Sequence, residues 1–232
     1  ILHKIFLIPN QKAKEYFLKL EKLSKKNQEK YSKTLEIAYQ FFLKYGYEKT
    51  NLQMIVKETK GSLATIYKIF GNKRNLFQEV IEQKNQDFFC SLEKIFTHAQ
   101  SLELSLEDFI ILIGKKLLNE IFTPDAIALN RLIFVEGYNN SELLDTFKVS
   151  CIDKTLFYFS KYLETYAKKE KINIDDIQET SRICVDLLIS HHLLDSLLDS
   201  NYIPPSEEEI DKIAKKATKI FLLYLNHNKE IQ

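Results

Sequence analysis

Two groups of residues in this chain have types and spacing suited to chemistry. The first follows Gly61, where Ser62, Ala64, Thr65, Tyr67 and Lys68 alternate with Leu63, Ile66 and Phe70. The 3, 4 spacing of Leu63, Ile66 and Phe70 predicts a short helix that turns them inward and leaves Ala64, Thr65, Lys68 and part of Tyr67 outward. The second group is the histidines and cysteines. His98, His191, His192 and His227 lie outside any HExxH or Cys-His spacing, and there is no GxGxxG, P-loop or nucleophile elbow. Asp195 stands three residues after His192 and four after His191, a spacing for fixing a tautomer or pairing charges, and a His-His pair on a helix usually has one ring buried and one exposed. Cys90, Cys151 and Cys184 form no CxxC pair and read as buried thiols in a reducing cytoplasm. The expectation is no catalytic residue, no metal and no cofactor, hence not an enzyme.

A short helix presents a polar face only if its neighbours hold it. Gly46, Gly61 and Gly71, three of the five glycines, fall within 26 residues and punctuate apolar-periodic segments. The spacing predicts a first helix from about Tyr31 to Tyr45, with Leu35, Ala38, Tyr39 and Phe42 on one face and Gly46 as its C-terminal cap. A second helix is expected to start at Thr50, whose hydroxyl with Gln53 makes a capping box, and to bury Leu52, Ile55 and Val56. A tight turn at Thr59-Lys60-Gly61 follows, and Ser62 caps the third helix through about Ile69. Gly71-Asn72 breaks the chain, and Asn72 caps a fourth helix from Lys73 to about His98, roughly 39 Å long. A helix, a glycine-bearing turn and a second short helix with a polar outer face form a helix-turn-helix pattern, whose second helix enters the DNA major groove.

Beyond it, Ser105 to Phe122, Pro124 to Tyr138, Asn140 to Lys171, Asp175 to Ser200 and Ser206 to His227 also read as helices, with Pro124 and Pro204-Pro205 as starts or breaks. The 232 residues include only five Gly and four Pro against 45% apolar residues, which fits neither a turn-rich β-sandwich nor a disordered chain. The expected fold is all-α: an N-terminal three-helix helix-turn-helix domain joined by a long helix to a C-terminal helical bundle. Apolar stripes on the last two segments, Ile177, Cys184, Leu187, Leu188, Leu194, Leu198 and then Ile210, Ile213, Ala214, Ala217, Phe221, Tyr224, suit burial against each other or against a second subunit.

Charge divides the chain sharply. Residues 1–74 carry 16 Lys or Arg and 6 Asp or Glu, a balance of +10, and residues 75–232 carry 17 and 26, a balance of −9. Nucleic acid is the usual partner of such a basic third. Residues 1–30 hold eight Lys and three Glu, with Tyr16, Phe17, Leu20 and Leu23 at helical spacing. They read as a solvated amphipathic extension, as a basic arm on DNA phosphates, or as a membrane-surface helix. The run ending at Pro9 is too short and interrupted for a signal h-region, and no 18-residue charge-free stretch exists. A cytoplasmic protein with no membrane partner is expected. Position 1 is Ile, so the numbering is expected to begin inside a longer or processed chain.

Thr34-Leu-Glu-Ile-Ala38-Tyr-Gln-Phe-Phe42-Leu-Lys-Tyr-Gly46-Tyr47, then Thr50, Ile55-Val56, and Ser62-Leu-Ala-Thr65-Ile-Tyr67-Lys-Ile-Phe70-Gly-Asn-Lys73-Arg-Asn-Leu76, resembles the DNA-binding domain of the TetR family of transcriptional repressors. The motif Ala-xxx-Phe-xxx-Gly-Tyr, followed by Thr-x-Tyr-xx-Phe-xx-Lys-xx-Leu, covers about a fifth of the chain. The resemblance implies a homodimer, a helical domain that binds a small effector, and release from a palindromic operator when the effector binds. It divides the chain into a basic extension (1–30), a DNA-binding domain (31–74) and an effector-binding and dimerisation domain (75–232). By matching position, Tyr67 and Lys73 go to phosphates, Thr50 lies near the backbone, and Ser62, Ala64, Thr65 and Lys68 face the groove. Leu63 stands where relatives often touch DNA, and its apolar spacing argues equally for the core. The chemistry agrees: Lys73 offers a point charge near a helix start, Lys68 reaches guanine O6 or N7, and the Thr65 methyl or Ala64 meets a thymine methyl.

One departure concerns the turn. The family usually has Ala-Gly-Val-Ser there, whereas this chain has Thr59-Lys60-Gly61-Ser62, so a lysine stands where φ above zero is often needed. Either Leu63 fills the gap left at Gly61 with a shifted turn, or the recognition helix forms loosely without DNA.

The second half carries aromatics on several helices, which together can enclose an apolar pocket or simply fill a core. Phe89, Phe96, Phe109, Ile113, Phe134, Tyr138, Cys151, Phe157 and His191 are the candidate effector contacts. The stretch Leu132 to Leu144 resembles the effector domain of TetR-family regulators of multidrug efflux, which implies a bulky hydrophobic effector and a drug-efflux operon as the target. The last two helices are expected to form the dimer interface. The alternative is a helical ligand-binding or protein-interaction module without sequence-specific DNA binding.

Overall fold

The capping and stripe residues fold the chain into helices, which a computed structural model describes over residues 25–101 and 103–230. The basic segment up to residue 24, with its Tyr16 to Leu23 stripe, lies outside the described residues. The fold is all-α. Its helices are α1 (Lys25–Lys49), α2 (Leu52–Thr59), α3 (Leu63–Phe70), α4 (Lys73–Ser101), α5 (Leu106–Ile121), α6 (Pro124–Gly137), α7 (Ser141–Phe147), α8 (Asp153–Glu170), α9 (Ile177–Leu198) and α10 (Glu207–Glu230). The helix expected over Asn140 to Lys171 is broken: a π-helical turn at Lys148–Ile152 separates α7 from α8. Among the described residues no helix is long and apolar enough to cross a membrane.

Contacts gather the chain into two units. The first takes in the described residues through Asp87 together with Arg131–Ile152, and the second comprises Phe88–Asn130 and the chain from Asp153 onward. In the first unit the expected stripe of α1 is buried: Leu35, Ala38, Tyr39 and Phe42 pack inward with Tyr31. Tyr31 stacks on Phe70 at 5.2 Å, and Phe42 meets Phe77 at 4.7 Å, which ties α1 to α3 and α4. Each such aromatic contributes about 1.5–3 kcal/mol by leaving water. Helix α1 is interrupted at Gly46, whose φ of 78° and ψ of 170° lie in a region open essentially only to glycine. Lys84 of α4 adds a 2.7 Å ion pair to Glu36 and lies 4.1 Å from the Tyr39 ring centre.

The second unit is a helical bundle whose core includes Phe89, Phe109, Ile113, Leu118, Phe159, Leu163, Cys184, Leu188, Ala214 and Phe221. Its helices start at side-chain caps: Ser105 accepts from the Asp108 N–H at 3.0 Å, Asp176 from the Glu179 N–H at 2.9 Å, and Ser206 with Glu209 forms a reciprocal capping box. Thr123 accepts from the Ala126 N–H at 3.2 Å, ahead of Pro124 in the first position of α6. Gly114 of α5 is buried in the core. A Cβ there would stand 2.8 Å from Leu188 Cδ2 and 3.7 Å from Ala214 Cβ, so α5 lies close against α9 and α10, and a side chain there requires Leu188 to move. Gly114→Leu is therefore expected to lower stability by about 1–3 kcal/mol through overpacking, read as an earlier midpoint in urea unfolding.

Candidate nucleic-acid interface

Helix α3 stands on Ile66 and Phe70, both buried, and its far side is open. Ala64, Thr65 and Lys68 are exposed and Tyr67 is 51% exposed, so the outward face expected from the spacing is present. Leu63 is half-buried and belongs to both faces. Ser62 caps the helix: its Oγ accepts from the Thr65 N–H at 3.1 Å and pairs with the Thr65 hydroxyl at 2.7 Å. The Thr65 hydroxyl is thus engaged with Ser62 while the residue stays exposed on the outer face.

The turn before α3 closes around Lys60. That residue adopts the left-handed conformation (φ 52°, ψ 34°), and the Gly61 N–H reaches the Val56 carbonyl at 3.2 Å, the bond that closes a Schellman turn. Gly61 itself has no positive φ. The turn is therefore not shifted: Lys60 itself takes the left-handed position, α3 is formed and capped, and Leu63 is half-buried beside it.

Thr50, expected near the DNA backbone, and Lys73, expected at a phosphate, serve the fold directly. Thr50 is fully buried, and its hydroxyl lies 3.0 Å from the Phe41 carbonyl oxygen and 2.8 Å from that of Gly46, a shared donor that closes the end of α1. The cap of α2 is instead Asn51, whose Oδ1 accepts from the Met54 N–H at 3.0 Å, because Thr50 is committed one residue earlier and Asn is the stronger cap. The expected Thr50–Gln53 capping box does not form. Lys73 donates from Nζ to the Tyr47 carbonyl at 2.9 Å and the Glu48 carbonyl at 3.3 Å, with the Tyr47 ring centre 4.2 Å away. One of its three N–H groups remains for another acceptor. Asn72 caps α4 as expected, accepting from the Asn75 N–H at 2.8 Å.

The same corner holds a group of charges. Burial raises the Glu136 carboxyl above its ordinary range, the nearby Glu48 carboxylate adds to this, and Lys73 opposes it. Burial likewise raises the Tyr47 phenol, against the pull of Arg74. Glu136, on the part of α6 that belongs to the first unit, thus faces the start of α4 and the end of α1.

The candidate effector contacts divide. Phe89, Phe96, Phe109 and Phe157 join one aromatic chain in the second unit, running through Tyr158 and Tyr162; Phe109 stacks face to face on Tyr162 at 3.4 Å. Ile113 lies in the same core. His191 does not join them: its side chain is 83% exposed, 3.7 Å from Asp195, while His192 is the half-buried ring, against Phe122. Phe134, Tyr138 and Cys151 lie in the first unit, and Tyr138 is 90% exposed. A void of about 10 Å³, room for about one water, is lined by residues including Phe109, Phe159, Ser181, Cys184 and Phe221. The sequence reading missed Tyr162, whose hydroxyl donates to the Leu104 carbonyl at 2.8 Å, and the buried Ser160–Ser181 pair at 3.0 Å. The apolar period of Leu156, Phe159, Tyr162 and Leu163 was the available signal. Among the described residues no three His, Cys, Asp or Glu side chains converge as a metal site would require.

A three-helix cluster with an open polar and basic third helix, continued into a long fourth helix and a bundle, defines the helix-turn-helix class of regulators. Residues 35–80 match the profile of bacterial regulatory proteins of the tetR family, and residues 110–224 match that of the AefR-like transcriptional repressor C-terminal domain. This chain belongs to the TetR family of transcriptional regulators, which are transcription factors rather than enzymes. It is 32% identical over 81 residues to the HTH-type transcriptional repressor ComR of Escherichia coli, a match spanning 34% of this chain and 39% of ComR. A TetR-family regulator from Mesorhizobium loti superposes with a TM-score of 0.79 at 18% identity, over 87% of this chain and 98% of that one. The flavonoid-responsive regulator FrrA superposes at 0.66 with 22% identity, over 84% and 96%.

The buried Thr50 hydroxyl serves two main-chain carbonyls, so Thr50→Val removes both bonds at nearly constant volume. A loss of about 1–3 kcal/mol in chemical denaturation is expected.

Proposed function

We propose that the chain is a dimeric repressor that binds a palindromic operator and releases it when a hydrophobic small molecule binds the second unit. The observation that carries this reading is the outer face of α3, where Ala64, Thr65, Tyr67 and Lys68 stand exposed on a helix anchored by Ile66 and Phe70. Ser62 and Leu63 at its start and the free N–H of Lys73 complete the DNA-facing set. Thr50 contributes by holding α1 rather than by touching DNA. In this reading residues 31–74 make the DNA-binding domain and 75–232 the effector and dimerisation domain, working in the cytoplasm.

Dimerisation through α9 and α10 is supported by how their stripes divide. Cys184, Leu188, Ile210, Ala214, Ala217 and Phe221 are spent on the chain's own core. Leu187, Leu194, Leu198, Ile220 and Leu223 are left exposed, Leu198 at 77%. Apolar residues at 187, 194 and 198 follow the seven- and four-residue steps of one helix face, which suits a second copy of the same helices. The effector reading is supported by the aromatic chain from Phe89 to Tyr162, beside which Ser181 offers a polar group. Bulky aromatic or aliphatic effectors fit those walls, and FrrA, by its name, answers to flavonoids. The likeness of Leu132 to Leu144 to efflux regulators supports a drug-efflux operon as target.

Fluorescence anisotropy with a duplex from the region upstream of the gene and a scrambled duplex, at physiological salt, tests the DNA reading. Preferential binding to the upstream duplex is expected, weakened by about 1–3 kcal/mol in Tyr67→Ala or Lys68→Ala. Equal weak binding to both would assign the ligand-binding or interaction module instead. Light scattering at micromolar concentration is expected to give a dimer, and the double substitution Leu194→Glu and Leu223→Glu a monomer.

A further inference from the structure

Lys60 is held in a conformation that favours glycine, and the glycine stands one residue too late to relieve it. Lys60 is left-handed at φ 52°, whereas the neighbouring Gly61 has no positive φ. A glycine at position 60 would close the same turn with no Cβ to accommodate. Glu103 and Lys171 also have positive φ (49° and 55°), and what sets Lys60 apart is the place of its side chain. The Lys60 side chain is exposed at the turn that leads through the Ser62 cap into α3. It takes part in no ion pair or hydrogen bond among the described residues, and the same holds for the exposed Lys57 before it and Lys68 after it. By contrast Lys73 and Lys84 of the same unit are engaged by the fold.

We propose that Lys60 is a DNA phosphate contact of this chain, retained at the expense of turn stability. The proposal rests on the DNA-binding reading above. An ammonium on the turn, flanked by two more unengaged lysines, supplies sequence-independent attraction at the edge of the face that reads bases. Its chemistry is that of a point charge, so arginine substitutes for it and a neutral residue does not.

The test uses the full chain and the variants Lys60→Gly, Lys60→Asn and Lys60→Arg, with Lys169→Gln as a control that removes one charge from α8. Melting temperature is followed by circular dichroism, and affinity for the upstream and scrambled duplexes by anisotropy across a salt series. Lys60→Gly is expected to melt higher and yet bind both duplexes about fivefold more weakly near 0.15 M salt, with the slope of log K against log salt shallower by about 0.9. Lys60→Asn should lose the same slope, Lys60→Arg should keep it, and Lys169→Gln should leave it unchanged. A rise in melting temperature is the result a turn residue without a DNA role would also give, so the salt slope decides. An unaltered slope in Lys60→Gly overturns this contact and leaves the regulator reading standing. Failure of the unsubstituted chain to bind either duplex overturns both.

Discussion

Side-chain donors from outside α1 reach the main-chain carbonyls towards its end, and these bonds position the DNA-facing half of the chain. The Thr50 hydroxyl covers Phe41 and Gly46, and the Lys73 ammonium covers Tyr47 and Glu48. One donor comes from just ahead of α2 and the other from the first residue of α4. The short α3 between them is therefore spanned by two elements fastened to the same helix end, and stacking of Phe70 on Tyr31 sets its remaining freedom. Gly46 makes this possible, because only a backbone without Cβ turns through φ 78°, ψ 170° at that point.

The second unit is organised by packing rather than by polar closure. Gly114 brings α5 close to α9 and α10, and aromatic rings fill the space towards α4 and α8. Ser160 donates to Ser181, which donates to the Ile177 carbonyl, whereas the buried Tyr202 hydroxyl has no hydrogen-bond partner among the described residues. Burial pushes the Tyr158 phenol up to about 12 and raises the Cys184 thiol as well, so both stay neutral in ordinary buffers.

Local patterns in the sequence were enough for most of the fold. The stripe of α1, the caps at Ser62 and Asn72, the inward Ile66 and Phe70 of α3 and the start of α6 at Pro124 are all properties of a few neighbouring residues, and they stand as read, whereas Leu63 of the same inward set is only half-buried. What escaped were contacts across long separations. Lys73 and Tyr47 are 26 residues apart, so periodicity placed Lys73 at a helix start and said nothing of the carbonyls it would meet. Thr50 looked like a cap because its type and the following Gln53 fit one, yet the carbonyl of Phe41, nine residues earlier, claims its hydroxyl. Among the aromatics, composition could not say which side of α6 Phe134 and Tyr138 occupy. The π turn at Lys148–Ile152 has no periodic signature at all, since one extra residue per turn leaves the apolar pattern on either side intact.

The first contact unit is discontinuous in sequence. Arg131–Ile152 are grouped with the residues that surround α3, and Glu136 among them feels Glu48 and Lys73. The DNA-facing half is consequently not a cassette that a single cut releases. A hybrid gene joined anywhere between residues 87 and 131 would pair these helices with a foreign surface in place of Ile133 and Leu143, which are buried here. Exchange of sensing domains among relatives must carry this second segment along with the first or mend the seam by further substitution, so recombination is constrained at a place that linear domain boundaries leave unmarked.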